Sequence, residues 1–402
     1  MPFTDYCIIS WYHSVRQDDT LILHNAHSLQ HYGVLHRLRQ CKMNPLPYFC
    51  RMHVNYIIVG QGLCGTWLSY YLEQAGKSFM VIDESKPFTA SKAASGIINP
   101  VTGRRIVKTW MIEALMPNAW DAYTSIGKAL GIECIAEKPI IDCFSTPQMR
   151  LAFTDRFEKD TAFLSLPDNE NDWQPYFNYD FGYGIVQPAY LIDIRLLLSS
   201  QRQLLQRKNW LRNEYFDASQ LQMPETGVAY KDIVADKIIF CDGIAGFSNP
   251  FFNNLPYGLN KGEVILVEIP GLPSTNIFKK GYSLVPWQKD IFWLGSTYLW
   301  EFEDDQPTRG FYQFAHNWLT QTLKLPFTII DHWAAVRPAT LERKPFVGLH
   351  PNNNRIGILN GMGTKGCSLS PFFARQLVAH LLYDTPIMPD AGVQRFKKIL
   401  SR

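Results

Sequence analysis

The sequence lacks several features that would assign it to common classes of protein. Its eight cysteines contain no Cys-x-x-Cys pair, so neither a disulfide framework nor a cysteine-rich metal site is indicated. No apolar run approaches the roughly 18 residues of a membrane-spanning helix, and no basic segment followed by an apolar one marks a secretory signal. A net charge of only +3 does not favour nucleic acid or an anionic membrane as a partner. These absences favour a cytoplasmic protein with reduced thiols.

The composition and length are those of a globular protein of more than one domain. The 46% hydrophobic and 19% charged fractions are ordinary for a folded chain. Because 402 residues exceed one comfortable hydrophobic core, we expect two domains, which can be interleaved along the chain.

A glycine-rich motif near residue 60 predicts a dinucleotide site. The β-branched run 56–59 suits a strand buried on both faces, and Gly60, Gly62 and Gly65 follow with the spacing G-x-G-x-x-G. In such motifs the first glycine allows a tight turn, the second lets a pyrophosphate approach the backbone, and the third lets helix and strand pack closely. A helical stripe begins at Leu63, and its N-terminus would offer free N–H groups to a diphosphate.

A second apolar run, 79–82, ends in Asp83. An acid roughly 20 residues beyond the glycines is the group that holds a ribose hydroxyl. Strand, glycines, helix, strand and acid occur in the expected order. The unit does not distinguish FAD from NAD, and a βαβ turn without a ligand is the alternative.

The first 51 residues differ from the rest of the chain. They hold five of the ten histidines, three of the eight cysteines and one glycine. His24, His27 and His31 could share a helical face, but no Asp, Glu or Cys stands at suitable spacing to complete a metal site. Since Met52 directly precedes the first strand, we interpret residues 1–51 as a non-functional or disordered extension, and we expect no metal site.

Beyond the motif, the chain resembles the FAD-dependent D-amino acid oxidase superfamily, nearest to glycine oxidase and sarcosine oxidase, from about residue 54 to 382. Five segments carry the resemblance: VGQGLCG with its terminal acid, ASGIINP, KIIFCDG, VRPATLERKPFVG and ILNGMGTKGCSLSP. The Arg-Pro segment followed by a glycine-rich loop and a C-terminal helix is the most specific part, and it favours FAD.

The resemblance implies an α/β fold in which an antiparallel-sheet substrate domain is inserted into a Rossmann-like FAD-binding domain. The strand-like runs between residues 263 and 297 agree with such a sheet. The expected FAD-binding segments are 52–108, 185–255 and 336–402, and the expected substrate-domain segments are 109–184 and 256–335.

The resemblance also implies the cofactor contacts, residue by residue. Gly60, Gly62 and Gly65 would face the pyrophosphate, and Asp83 would face the adenosine ribose. A second group would line the path from the phosphates to the flavin ring: Ala94, Ser95 and Gly96. The loop that opens the C-terminal helix at Ser370-Pro371 would lie at the pyrimidine edge of the flavin, with these residues: Gly361, Gly363, Thr364, Lys365 and Gly366.

Arg337 matches the arginine that binds the substrate carboxylate in amino acid oxidases of this superfamily. A guanidinium suits that role because it donates two parallel hydrogen bonds and keeps its charge. A structural ion pair, for example with Glu342, is the alternative.

Two departures from the family pattern concern the substrate. Tyr282 stands one residue before the position of a substrate-contacting tyrosine, and a one-residue step in a strand reverses its face. Arg104 and Arg105 follow the loop that should approach the flavin, where they could hold an acidic substrate or form a surface turn.

The implied reaction is oxidation of a C–N bond next to a carboxylate by hydride transfer to flavin, in a small amine or amino acid. Other functions stay open: the carboxymethylamine oxidase of a tRNA-modifying enzyme, a flavin dehydrogenase with an acceptor other than oxygen, an NAD-dependent dehydrogenase, or a flavoprotein without turnover.

We predict that residues 1–51 are dispensable. A shortened chain that begins at Met52 should bind FAD and melt at the same temperature as the full chain, because the strand and glycine motif begin after that point. Flavin absorbance and thermal unfolding measure both properties. A large fall in either would show that the segment packs on the core.

Overall fold

A computed structural model describes residues 51–401 of the chain. The predicted N-terminal extension with its three histidines, His24, His27 and His31, lies outside the described residues, apart from Arg51. The described helices are α1 Leu63–Gln74, α2 Ala90–Ala93, α3 Ile112–Leu130, α4 Pro147–Lys159, α5 Ile194–Arg207, α6 Arg309–Thr322, α7 Gly366–Tyr383 and α8 Lys397–Leu400. None of these helices has the length and hydropathy needed to cross a lipid bilayer.

The strands between residues 51 and 401 form two large sheets and two small ones. In chain order they are β1 Met52–Val59, β2 Phe79–Ile82, β3 Ile97–Ile98, β4 Val101–Thr102, β5 Val107–Lys108, β6 Ile135–Glu137, β7 Ile140–Cys143, β8 Leu164–Ser165, β9 Tyr183–Val186, β10 Tyr190–Ile192, β11 Leu211–Arg212, β12 Leu221–Gln222, β13 Val228–Tyr230, β14 Ile233–Phe240, β15 Asn260–Glu268, β16 Ile277–Lys280, β17 Tyr282–Gln288, β18 Ile291–Gly295, β19 Thr328–Arg337, β20 Phe346–His350 and β21 Asn353–Asn360.

The first large sheet is built around parallel strands, as the glycine motif predicts. β1 pairs in parallel with β2 and β14, and β14 pairs in parallel with β21. The middle of β1 is buried on both faces, because α1, α3, α5 and α7 pack on one side and a second apolar cluster covers the other. This burial explains why its β-branched run does not alternate with polar residues.

The second large sheet has the strand order β19-β15-β18-β17-β16-β7-β9-β8. All its pairings are antiparallel except that of β16 with β7. One face packs on α6 and the other covers a separate apolar cluster. The predicted α/β fold with an antiparallel second sheet is therefore confirmed.

The C-terminal helix begins earlier than the sequence indicated. We expected it to open at Ser370-Pro371, but α7 begins at Gly366 and continues through Pro371. Pro371 has no N–H to donate to the carbonyl of Cys367, four residues before it. The hydroxyl of Tyr123 on α3 donates to that carbonyl at 3.0 Å. A contact from another helix thus satisfies the group that proline leaves unpaired.

A half-buried carboxylate joins the ends of two central strands. Asp242 follows Cys241, which is the residue directly after β14. Its carboxylate accepts hydrogen bonds from the side-chain amides of Asn249 and Asn360 at 2.9 and 3.0 Å. Asn360 is the last residue of β21. Burial raises the pKa of Asp242 to about 6, although both amide donors oppose the shift.

We predict that the titration of Asp242 lowers the free energy of unfolding as pH rises from 4 to 7. Its pKa is higher in the folded state than in the unfolded chain, so the folded state holds the extra proton in this range and loses stability as that proton leaves. The full effect is roughly 3 kcal/mol for a shift of this size. The asparagine of Asp242→Asn has no titratable group. The melting temperature of this variant minus that of the wild type should therefore increase from pH 4 to pH 7. A difference that stays constant with pH would contradict the assignment.

Candidate active site

Residues of both large sheets line one cavity of about 940 Å³. Its walls include the turn after β1, the turn after β14 and the loop before α7. The walls also include residues of the strands β15, β18 and β19 from the second large sheet. The residues predicted for cofactor and for substrate therefore border a single space.

The glycine motif has the local geometry that its spacing predicts. Gly60 has a φ of +97°, which favours glycine. A Cβ atom on Gly65 would lie 1.9 Å from the carbonyl oxygen of Gly60, so only glycine lets α1 pack this closely on the turn. Gly62 lines the cavity, and a Cβ there would meet only the hydroxyl of Ser91, at 2.9 Å. Gly65 thus serves packing, whereas Gly62 keeps space open in the cavity.

The N-terminal turns of two helices meet at the cavity. Leu63 begins α1 and Gly366 begins α7; a Cβ on Gly366 would lie 3.2 Å from a methyl of Leu63. The side chains of Cys64 and Ser370 lie 3.6 Å apart. Neither helix has a side-chain cap at its N-terminus. The N–H of Leu63 donates to the hydroxyl of Ser91 at 3.1 Å. Two positive dipole ends therefore border one space, which favours an anionic ligand.

Asp83 stands at the end of β2 and lines the cavity, as predicted. Its carboxylate accepts hydrogen bonds from the backbone N–H of Gln61 at 2.8 Å and from the guanidinium of Arg202 at 2.6 Å. The bond to Gln61 fixes the carboxylate beside the glycine turn. Arg202 on α5 was not identified from the sequence, because its 119-residue separation from Asp83 gives no local pattern.

Most of the predicted cofactor residues line the cavity and two do not. The residues that line it are Gly60, Gly62, Asp83, Ala94, Ser95, Gly96, Gly363, Thr364, Lys365 and Gly366. Gly65 lies behind the turn, as described. Gly361 has a φ of +78° and packs on the side chains of Thr340 and Phe346, so it shapes the loop from outside the cavity lining.

Arg337, the last residue of β19, lies over a glycine of the neighbouring strand. A Cβ atom on Gly262 would fall 1.8 Å from its Nη2 atom. Its guanidinium donates to the side chains of Asn260 at 2.5 Å and Ser296 at 2.6 Å, and to the carbonyl of Thr297 at 3.3 Å. All three acceptors are neutral, and among residues 51–401 no carboxylate forms a salt bridge with Arg337.

The structural ion pair considered for Arg337 is not present. Glu342 instead pairs with Arg395, at 3.0 Å. Burial lowers the pKa of Arg337, yet a guanidinium stays charged in proteins at neutral pH. A half-buried cation with neutral partners is therefore left open to an anion that enters the cavity.

The register of the second sheet decides which neighbours of Arg337 face the cavity. Ser283 of β17 is opposite Gly295 of β18, and both line the cavity. Tyr282 points to the other face, where its ring packs on Phe311 and Phe314 of α6. The prediction that Tyr282 has the wrong face for a substrate contact is confirmed.

The pair of arginines after the Asn-Pro loop does not reach the cavity. Arg104 and Arg105 are exposed in the turn between β4 and β5 and are absent from the cavity lining. The structure agrees with a surface turn and not with an acidic-substrate site.

Lys365 is the second cation of the cavity wall near Arg337. Gly363, two residues before it, donates to the carbonyl of Pro338 at 3.3 Å, so the loop lies against the Arg-Pro segment. The Lys365 ammonium lies 3.4 Å from the hydroxyl of Thr109, and burial lowers the pKa of this lysine. Within the described part of the chain, no salt bridge neutralises it.

Comparison with known proteins agrees with this architecture. Residues 55–381 match the family model of the FAD-dependent oxidoreductases (DAO). Iminodiacetate oxidase from Chelativorans sp. BNC1 superposes with a TM-score of 0.66 at 18% identity, covering 84% of this chain and 99% of that one. Glycine oxidase from Geobacillus kaustophilus gives 0.67 at 16% identity, covering 84% and 96%. L-proline dehydrogenase from P. horikoshii gives 0.69 at 13% identity, covering 87% and 99%.

A curated relative matches over a short stretch. An uncharacterized oxidoreductase, YurR of Bacillus subtilis (strain 168), is 39% identical over 56 residues, which is 14% of this chain and 15% of that protein. The assignment therefore depends on the family match, which spans most of the sequence. The chain belongs to the FAD-dependent oxidoreductase family (DAO).

Proposed function

We propose that the chain oxidises the C–N bond of an amino acid or N-substituted amino acid. The observation that carries this proposal is the half-buried guanidinium of Arg337, which lines the cavity and whose hydrogen-bond partners within residues 51–401 are all neutral. A substrate carboxylate would supply the missing negative charge and accept two parallel hydrogen bonds.

The residues of the cavity fit FAD along its length. The turn 60–62 and the N-terminus of α1 would hold the pyrophosphate, Asp83 the ribose, and residues 94–96 the path to the flavin. The α7 N-terminus with Lys365 would border the pyrimidine edge, where positive charge favours the reduced cofactor. When bound, FAD supplies the hydride acceptor for the reaction.

The chain itself would position the substrate. Arg337 would fix the carboxylate, and the neutral oxygens of Asn260 and Ser296 would hold the guanidinium without cancelling its charge. Gly262 leaves room for the guanidinium itself, and Gly295 lines the cavity on the neighbouring strand. Loss of hydride from that carbon leaves an imine, which water hydrolyses to a carbonyl compound and an amine. Such a reaction depends mainly on orientation of the substrate.

We also propose which chain segments form the FAD-binding domain and which form the substrate domain. The segments 52–108, 185–255 and 336–402 would form the FAD-binding domain, and the segments 109–184 and 256–335 would form the substrate domain. The parallel sheet with its glycine turn belongs to the first set, and the strands β15–β18 that flank Arg337 belong to the second. The substrate would be a small molecule, with no nucleic acid required.

We predict that Gly62→Val abolishes flavin binding without unfolding the protein. The added side chain would occupy the cavity, where its Cβ meets the side chain of Ser91 and no backbone atom. Purified variant should lack yellow colour and keep a cooperative thermal transition. Gly65→Val is the matched comparison: its Cβ meets the Gly60 carbonyl at 1.9 Å, so that variant should lose the fold itself. A yellow Gly62→Val protein would contradict the pyrophosphate assignment.

We predict that Arg337→Lys lowers kcat/KM for carboxylated amines and leaves FAD bound. Lysine offers a point charge instead of a fork, and loss of one charge-assisted hydrogen bond costs roughly 1.5–3 kcal/mol, which is about ten- to a hundredfold. Amines without a carboxylate should change little. Steady-state kinetics on matched pairs of substrates measures the difference.

Asn260→Asp provides the control for this prediction. It places a carboxylate of nearly the same shape beside Nη1 of Arg337 and should raise KM for carboxylated amines while the arginine is still present. If both variants lower the melting temperature and slow all amines equally, Arg337 has a structural role and the amino acid assignment is wrong.

A further inference from the structure

We propose that Tyr298 and Trp300 form an apolar wall beside Arg337 that holds a bulky apolar group of the substrate. This inference rests on the proposed function, since it takes Arg337 as the carboxylate site. It narrows the substrate to carboxylated amines with an aromatic or large aliphatic substituent, as opposed to glycine or sarcosine.

The strand pairing places both aromatic residues on the Arg337 face of the sheet. Lys261 and Leu299 form an antiparallel bridge with both backbone hydrogen bonds at 2.9 Å. Tyr298 is therefore opposite Gly262, and Trp300 is opposite Asn260. Residues opposite each other in an antiparallel pair project to the same face. Asn260 and Gly262 are the residues that the Arg337 guanidinium contacts.

Side-chain contacts agree with this register. The centre of the Tyr298 ring lies 5.7 Å from the guanidinium carbon of Arg337, and the rings of Tyr298 and Trp300 meet edge to face at 5.2 Å. A Cβ atom on Gly258 would touch Trp300 at 3.2 Å and Leu341 at 3.1 Å. Trp300 and Leu341 thus both border Gly258, two residues before β15, and Tyr298 lies between Trp300 and Arg337.

The wall is open to solvent on one side. Tyr298 is 45% exposed, Trp300 47% and Leu341 67%. Large apolar side chains that are grouped and this exposed usually mark a binding surface. The adjacent cation has no carboxylate partner within residues 51–401, so the surface combines one anion site with an apolar strip. That combination fits a ligand with a carboxylate at one end and an apolar group at the other.

Titration of the FAD-loaded protein with two unreactive carboxylates tests the inference. Acetate and phenylacetate share the carboxylate and differ by the phenyl group, and binding is followed by the change in the flavin absorption spectrum at constant ionic strength. The wild type should bind phenylacetate about tenfold more tightly than acetate, as expected for a ring packed on aromatic side chains.

Four variants test whether the tighter binding of phenylacetate depends on the rings of Tyr298 and Trp300. Tyr298→Ala and Trp300→Ala should each reduce the affinity ratio between phenylacetate and acetate, and acetate binding should stay unchanged in Trp300→Ala. Tyr298→Phe should keep the ratio, because it keeps the ring. Tyr383→Ala, which truncates a 77% exposed tyrosine at the end of α7, should also keep it.

The outcomes separate this inference from the proposed function. If neither carboxylate binds, or if Arg337→Lys leaves their affinities unchanged, the carboxylate site is wrong and the proposed function fails with it. If both bind through Arg337 with equal affinity, or if the two alanine variants keep the wild-type ratio, only the apolar wall is overturned.

Discussion

The half-buried guanidinium of Arg337 is the constraint on which the substrate site depends. It can lie over β15 because position 262 is glycine, and it is fixed by Asn260, Ser296 and the carbonyl of Thr297. A carboxylate at any of these positions would hold the side chain equally well and would neutralise it. Neutral acceptors fix the geometry and leave the charge free for a ligand.

The cofactor site depends on the same kind of electrostatic arrangement. The first turns of α1 and α7 contact each other through Leu63 and Gly366, so two helix N-termini border the cavity. This contact requires α7 to begin before Pro371, which the hydroxyl of Tyr123 makes possible. The positive ends of two helices, Lys365 and Arg337 all border the cavity, and they suit a ligand with a diphosphate and a substrate with a carboxylate.

Local patterns predicted the features that depend on neighbouring residues. The glycine spacing, the buried β1 and the face of Tyr282 follow from spacing along one segment, and the structure agrees with each. The partners Arg202, Asn260 and Tyr298 could not be found in that way. Each is brought to its site by strand or helix packing between distant segments. The start of α7 was wrong because a side chain from α3 replaces the hydrogen bond that Pro371 cannot make.

Anaerobic reduction of the bound flavin tests whether the reaction requires a substrate carboxylate that binds Arg337. Purified protein is mixed, without oxygen, with N-substituted and D-amino acids and with the amines that remain when each loses its carboxylate, and absorbance near the flavin maximum is followed. We predict rapid bleaching by at least one carboxylated member and much slower bleaching by its decarboxylated counterpart. Equal rates for the two members of every reactive pair would contradict the role of Arg337, and so would reduction by the plain amines alone.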